Sequence, residues 1–285
     1  MSFRLPPHHV PRPRLVARLA PARLVVVEAG AGYGKTTLAL EAGAELGVGF
    51  ATVALEPPDT DPGMLAVRVG RALRRAGLSD LAAPLGEFRD DPEEAVEALA
   101  DALAARSDPV VIVLDDVHHA DGPAGGLVRR LVRAVGFPHR VWLLGRRLPD
   151  TADAAADVPE VLRLDSSDLA FTREEAVALC RAVLGGDGPA DALLRTTGGW
   201  VAALVLGALA SARGDDTADA LRGDAGDALG DLVRRALGRL DAADREAFLR
   251  AARLPRLSPQ VADAATGRPG LLERASAAGL PLARG

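Results

Sequence analysis

Leu24-Val25-Val26-Val27-Glu28-Ala29-Gly30-Ala31-Gly32-Tyr33-Gly34-Lys35-Thr36-Thr37-Leu38 decides the fold. Four aliphatic residues in a row predict a strand buried on both faces. A glycine-rich loop follows, and from about Lys35 to Leu46 the apolar residues recur at helical spacing. Strand, glycine loop and helix in that order are the context a P-loop requires. Small residues let the backbone turn its N–H groups toward phosphate oxygens, and the helix N-terminus adds the positive end of its dipole, worth up to about 2 kcal/mol in a partly buried site. The expected phosphate grip is therefore Gly30, Ala31, Gly32, Tyr33 and Gly34, with Lys35 bridging the β- and γ-phosphates of ATP. Thr36 is expected to place its hydroxyl on Mg2+, and Thr37 to reach the α-phosphate of ATP or ADP. Ala29 occupies the first glycine position of G-x-x-x-x-G-K-[ST]. Its methyl sits at the strand exit and leaves Gly32 and Gly34 where the backbone must approach the ligand.

Lys35 is the one lysine of the chain, which otherwise uses arginine throughout and contains no asparagine. A compact ammonium fits between phosphates where a planar guanidinium does not.

Downstream, Val110-Val111-Ile112-Val113-Leu114-Asp115-Asp116 is an apolar strand ending in two acids. Such a run is weak evidence alone. Paired with the glycine loop it becomes a Walker B element, with Asp115 on magnesium and Asp116 orienting an attacking water. Val141-Trp142-Leu143-Leu144-Gly145-Arg146 ends a further strand in arginine. Arg146 either reports the γ-phosphate or is a solvated strand-end arginine, whereas Arg147 is expected on the surface.

Five strands are predicted: Leu24–Glu28, Phe50–Leu55, Val110–Asp115, Val141–Gly145 and Val161–Leu164. Helix-patterned segments rich in Ala, Leu and Arg separate them, so the core is α/β with a parallel sheet covered on both faces. Asp91-Pro92-Glu93-Glu94 predicts a helix start running to about Arg106, and Thr172-Arg173-Glu174-Glu175 a capping box opening a helix to about Leu184. Beyond this the strands stop. Glu174 to Arg213 reads as two helices broken by Gly185-Gly186-Asp187-Gly188-Pro189 and by Thr196-Thr197-Gly198-Gly199, and Arg213–Asp227 as a linker. Two more helices are expected, with caps at Asp241 and at Ser258-Pro259, before Gly279-Leu280-Pro281-Leu282 opens what resembles the first strand of a wing.

Composition narrows the partners. With 285 residues, two or three structural units are expected. The net charge of -5 disfavours direct nucleic-acid binding. No apolar run spans a bilayer and no secretory leader opens the chain, so the expectation is a cytoplasmic protein without membrane contact. Cys180 fits a core position in a reducing compartment. His118-His119 and His8-His9 lack a third ligand at metal-site spacing. The groups Arg71, Arg74, Arg75 and Arg129, Arg130, Arg133 read as solvated helix faces.

The residues resemble the STAND signal-transduction ATPases, in the branch of the maltose-regulon activator and the large ATP-binding LuxR-type transcriptional regulators. The resemblance rests on Val10-Pro11-Arg12-Pro13-Arg14-Leu15, the loop Ala29 to Thr37, Leu114-Asp115-Asp116-Val117-His118, Gly145-Arg146-Arg147-Leu148-Pro149, Asp168 to Ala176, and Gly198-Gly199-Trp200. Ala29 is what that branch usually shows. The resemblance implies a P-loop NTPase core of the AAA-like/STAND kind, a helical lid and a winged helix that clamp ADP in an inactive state. ATP exchange on inducer binding then permits self-association, and hydrolysis resets the switch. It also implies that Val10, Arg12 and Trp200 contribute to the nucleotide site. The lid's Gly-x-Pro turn is here Gly199-Trp200-Val201, without the proline, and no histidine follows His139 to serve as a winged-helix ligand for ADP. On this reading residues 1–20 are an arm at the nucleotide site, 21–165 the nucleotide-binding domain, 166–227 the helical lid and 228–285 a winged-helix domain cut short. DNA and inducer would be met by domains outside this chain. The alternative is an AAA-type, DNA-associated mechanochemical ATPase of the origin-recognition or clamp-loader kind; a third reading is a P-loop kinase of a small metabolite.

Overall fold

A computed structural model describes residues 5–6, 8–56, 61–88, 90–148, 158, 161–212, 230, 233–234, 237–252, 258–278 and 280. The chain divides into two compact units. The first comprises Met1–Leu5, Arg12–Glu28 and Lys35–Leu164; the second comprises Pro6–Pro11, Ala29–Gly34 and Asp165–Gly285.

In the first unit β1 (Leu24–Glu28), β2 (Gly49–Ala54), β3 (Val110–Asp115), β4 (Arg140–Gly145) and β5 (Val161–Asp165) form one sheet in the order β2-β3-β4-β1-β5. The pairs β1 with β4, β3 with β4 and β2 with β3 are parallel. Five strands were expected from the aliphatic runs; β1 and β3 fall as expected, and the ends of the other three differ by at most a residue. All six residues of β3 are buried, which is why it reads as an unbroken apolar run. Side chains alternate between the faces. Leu24, Val26, Ile112, Leu114, Val141 and Leu143 join a core with α3 (Pro62–Arg75), α4 (Ser79–Ala82), α5 (Pro84–Glu87), α6 (Pro92–Ala104) and α7 (Pro123–Ala134). α1 (Pro13–Leu19) and α2 (Lys35–Leu46) pack together. Trp142 points out of the α3–α7 core and meets Phe50 edge-on, with ring centroids 5.8 Å apart. A Cβ on Gly43 of α2 would lie 2.6 Å from the Phe50 ring, so the bare backbone there lets the helix press close.

Register fixes the functional edge. Val27 pairs with Leu144 and Glu28 with Gly145, while Leu114 pairs with Leu143. The carboxyl ends of β1, β3 and β4 therefore finish level, at the edge where α/β sheets place their ligands.

The second unit is helical after β5: α8 (Ser166–Leu169), α9 (Arg173–Leu184), α10 (Ala190–Thr197), α11 (Val201–Ser211), α12 (Ala242–Ala251), α13 (Pro259–Thr266) and α14 (Leu271–Ala277). Three helices (α9, α10 and α11), not the expected two, occupy residues 173–211, because both glycine breaks terminate a helix: Gly185 and Gly198 each close one in the left-handed conformation. Among the described residues three also follow Asp241, again one more than expected, since Gly267 ends α13 in the same way. The caps fall where the sequence placed them. Asp91, Thr172, Asp241 and Ser258 each accept a backbone N–H of the first turn, and Thr172 and Glu175 form the reciprocal box. The linker Arg213–Asp227 and most of the wing strand lie outside the described residues. Among those described, no helix is long and apolar enough to cross a membrane.

Candidate phosphate-binding site

In the first unit the expected acidic and basic groups converge at the carboxyl ends of the strands. Lys35 opens α2 and is buried. Thr36, the next residue, donates its hydroxyl to Asp115 Oδ2 across the end of β3. The Asp116 N–H donates to Asp115 Oδ1 at 2.9 Å. Both oxygens of Asp115 are thus held, and a hydroxyl and a carboxylate stand side by side as hard oxygen donors, the set that suits Mg2+.

Electrostatics at this edge is unbalanced in the way a charged ligand would correct. Burial, reinforced by Arg146, lowers the Lys35 ammonium to about 8, although Asp115 and Asp116 pull the other way. Burial also raises the Asp115 carboxyl, against the stabilising bonds from Thr36 and Asp116. Arg146 follows Gly145 at the end of β4, and its guanidinium acts on Lys35, as does Asp116. Arg12 is buried ahead of α1, where its backbone N–H donates to the buried Glu41 carboxylate of α2.

The loop between β1 and α2 belongs to the second unit. Gly32 and Gly34 have φ of +76° and +80°, the left-handed region open to glycine. The Trp200 indole N–H donates to the Ala31 carbonyl at 3.0 Å, and the Ala202 N–H donates to the Gly32 carbonyl at 2.9 Å. A Cβ on Gly32 would stand 2.6 Å from Ala202 Cβ and 2.9 Å from Trp200 Nε1, so glycine is required twice over. The turn at Gly199-Trp200-Val201 therefore meets the loop without a proline; Val201 is the first residue of α11, where proline is tolerated but not needed. Two carbonyls of the loop, those of Ala31 and Gly32, are thus engaged by this turn. Tyr33 is buried, and Thr37 is the third residue of α2. Val10 packs in the core of this unit with Phe171, Leu179 and Leu204.

Three residues at these sites gave little signal in the sequence. Ala202 acts only through its backbone. Gly145 is needed because a Cβ there would lie 3.0 Å from the Arg147 carbonyl and 3.2 Å from Val117. His118, unremarkable as a metal ligand, sits beside Asp116 with Nδ1 3.7 Å from Oδ1.

Known proteins share stretches of this sequence and its fold. Residues 18–147 match the family described as AAA domain. The serine/threonine-protein kinase PknK of Mycobacterium tuberculosis is 30% identical over 223 residues, covering 72% of this chain and 20% of the kinase. The HTH-type transcriptional regulator MalT of Klebsiella pneumoniae is 28% identical over 278 residues, covering 91% of this chain and 31% of the regulator. The chain thus spans about a fifth to a third of the length of these relatives. Among solved structures, a Walker-type ATPase of Pyrococcus abyssi superposes with a TM-score of 0.57 at 13% identity, over 94% of this chain and 89% of that one. That likeness shows the P-loop NTPase fold.

Proposed function

We propose that this chain, which carries an AAA-type P-loop ATPase domain, is the adenine-nucleotide switch of a bacterial transcriptional regulator of the STAND kind. It rests with ADP bound, takes up ATP in a state competent to self-associate, and returns by slow hydrolysis. The observation that carries the reading is the extent of the likeness to MalT, which runs over 91% of the chain and so beyond the ATPase core into the helices after it. A core alone would suit any P-loop ATPase.

In this reading the loop from Gly30 to Gly34 wraps the phosphates with backbone N–H groups, and Lys35 neutralises the β- and γ-oxygens. Thr36 and Asp115 would hold magnesium, which neutralises phosphate charge when bound with the nucleotide. Asp116 orients the attacking water, and Arg146 senses the γ-phosphate. Val10 and Arg12 of the N-terminal arm and Trp200 of the lid complete the nucleotide's surroundings. The protein acts in the cytoplasm, and contact with DNA and inducer belongs to other segments of a full-length regulator.

The decisive experiment identifies the nucleotide released when the purified protein is denatured, followed by calorimetry with ADP and ATP in magnesium. Released ADP and micromolar binding are expected. Absence of any adenine-nucleotide binding would sink the reading, and an ATPase rate that climbs with added DNA would favour a DNA-associated motor instead.

A further inference from the structure

The backbone directly after Walker B is unusual. Asp116 has φ +54°, and it is the one non-glycine residue with positive φ among those described. A left-handed residue costs about 1–2 kcal/mol unless glycine fills it, although aspartate tolerates it better than most. The consequence is local. The bend starts a single 3-10 turn, Val117–His119, which folds His118 back beside the carboxylate two residues before it.

His118 is in an uncomfortable position. Its side chain is 14% exposed, and both ring nitrogens are shielded from solvent without a hydrogen-bond partner. An unsatisfied buried polar group costs on the order of 1–3 kcal/mol and calls for an explanation. The nearest carboxylate oxygen, Asp116 Oδ1, is 3.7 Å from Nδ1, just past hydrogen-bond reach. The His119 ring lies against His118 with centroids 4.0 Å apart and fixes its plane. Gly145, with no Cβ to press on Val117 or on the His118 N–H, leaves room for the turn at the end of β4.

We propose that His118 is the positioning residue for Asp116 in ATP hydrolysis, donating Nδ1–H to the carboxylate once nucleotide is bound and holding it toward the attacking water. The proposal rests on the ATPase reading above and adds a residue to it. A role for His118 as the base itself fits less well. Its nitrogens do not reach solvent, whereas the Asp116 side chain is 46% exposed and does. Burial, His119, Arg146 and Lys35 hold the imidazole down at about 4 despite Asp116, so it is neutral at pH 7 and a weak proton acceptor. A neutral ring beside a carboxylate keeps its one proton on the facing nitrogen.

The test is single-turnover hydrolysis of Mg-ATP by the whole chain, with ATP affinity measured separately, in His118→Ala, His118→Asn, His118→Gln, Asp116→Asn and the Asp116→Asn/His118→Ala double variant. His118→Ala is expected to slow hydrolysis roughly ten- to a hundredfold with ATP affinity unchanged. Asparagine, whose amide N–H falls near the Nδ1 position, restores most of the rate, and glutamine, which reaches past it, does not. In the Asp116→Asn background, loss of the imidazole costs nothing further. Hydrolysis at the wild-type rate in His118→Ala, equal rates for the asparagine and glutamine variants, or an additive loss in the double variant would each overturn the proposal. The asparagine and glutamine pair decides the matter if the alanine variant fails to fold. A wild-type chain that binds ATP and never hydrolyses it removes the ATPase reading, and this inference with it.

Discussion

Lys35 carries an opposition between stability and binding. Its ammonium is lowered from 10.5 to about 8, chiefly by burial, so the folded, ligand-free protein holds a charge it would rather release. The sign follows from proton counts. Between pH 8 and 10.5 the unfolded chain binds more protons than the folded one, so stability rises with pH across that window, and below it the full penalty is present. Lys35→Met should therefore raise the thermal midpoint of the ligand-free protein at pH 7, by on the order of 1–3 kcal/mol of stability, while abolishing nucleotide binding. Calorimetry and a melting curve on one preparation check both halves; a lower midpoint would mean that the pull of Asp115 and Asp116 outweighs burial. Asp116→Asn should leave ATP affinity within a factor of about two and slow turnover by ~100-fold or more. Equal turnover would remove Asp116 from the hydrolysis step.

At the scale of elements, the phosphate loop is tied on its carbonyl side by the start of α11. Gly32 is the sharpest probe of that contact. In Gly32→Ala the new methyl would sit 2.6 Å from Ala202 Cβ at a φ of +76°, so the loop and the helix start cannot both keep their places. Loss of nucleotide binding by more than tenfold is expected, read by calorimetry, and unchanged affinity would show that this contact is dispensable. Trp200→Phe is milder. It keeps the ring and removes the N–H that reaches the Ala31 carbonyl, one hydrogen bond worth about 1 kcal/mol. ADP affinity should fall about fivefold.

At the scale of the molecule, the chain builds separate apolar cores, and the last helices have their own. Leu240, Phe248, Ala262, Leu271 and Leu280 are buried together. Asp244 is buried with them and takes two bonds from Arg274, at 2.6 and 3.0 Å, and one from Arg268 Nε. The arginines hold its carboxyl down at about 2. A carboxyl lowered in this way contributes stability above its unfolded value near 4 and loses it as pH falls through about 2. Asp244→Asn should lower the melting midpoint at pH 7 by on the order of 5 °C, with the difference from wild type shrinking between pH 4 and pH 2. A constant difference across that range would show that the effect is one of shape and not of charge.

Much of this was legible in one dimension. A P-loop is a run of consecutive residues, so its glycines, Lys35 and Thr36 can be read without knowing the fold. Buried parallel strands announce themselves as aliphatic runs, and helix starts as Asp, Thr or Ser before Pro or Glu, because each depends on neighbours within a few positions. Helix number after β5 was harder, since a Gly-Gly pair is either a loop or a helix cap until the backbone shows φ. The remaining features depend on contacts between residues far apart in the chain or on an unusual backbone angle, and only the tertiary structure decided them. Thr36 meets Asp115, His118 turns back to Asp116 against Gly145, and Trp200 donates to Ala31. The reason is physical: a hydrogen bond depends on distance and direction in space, and sheet order and register set these at the strand ends, while the sequence records only separation along the chain.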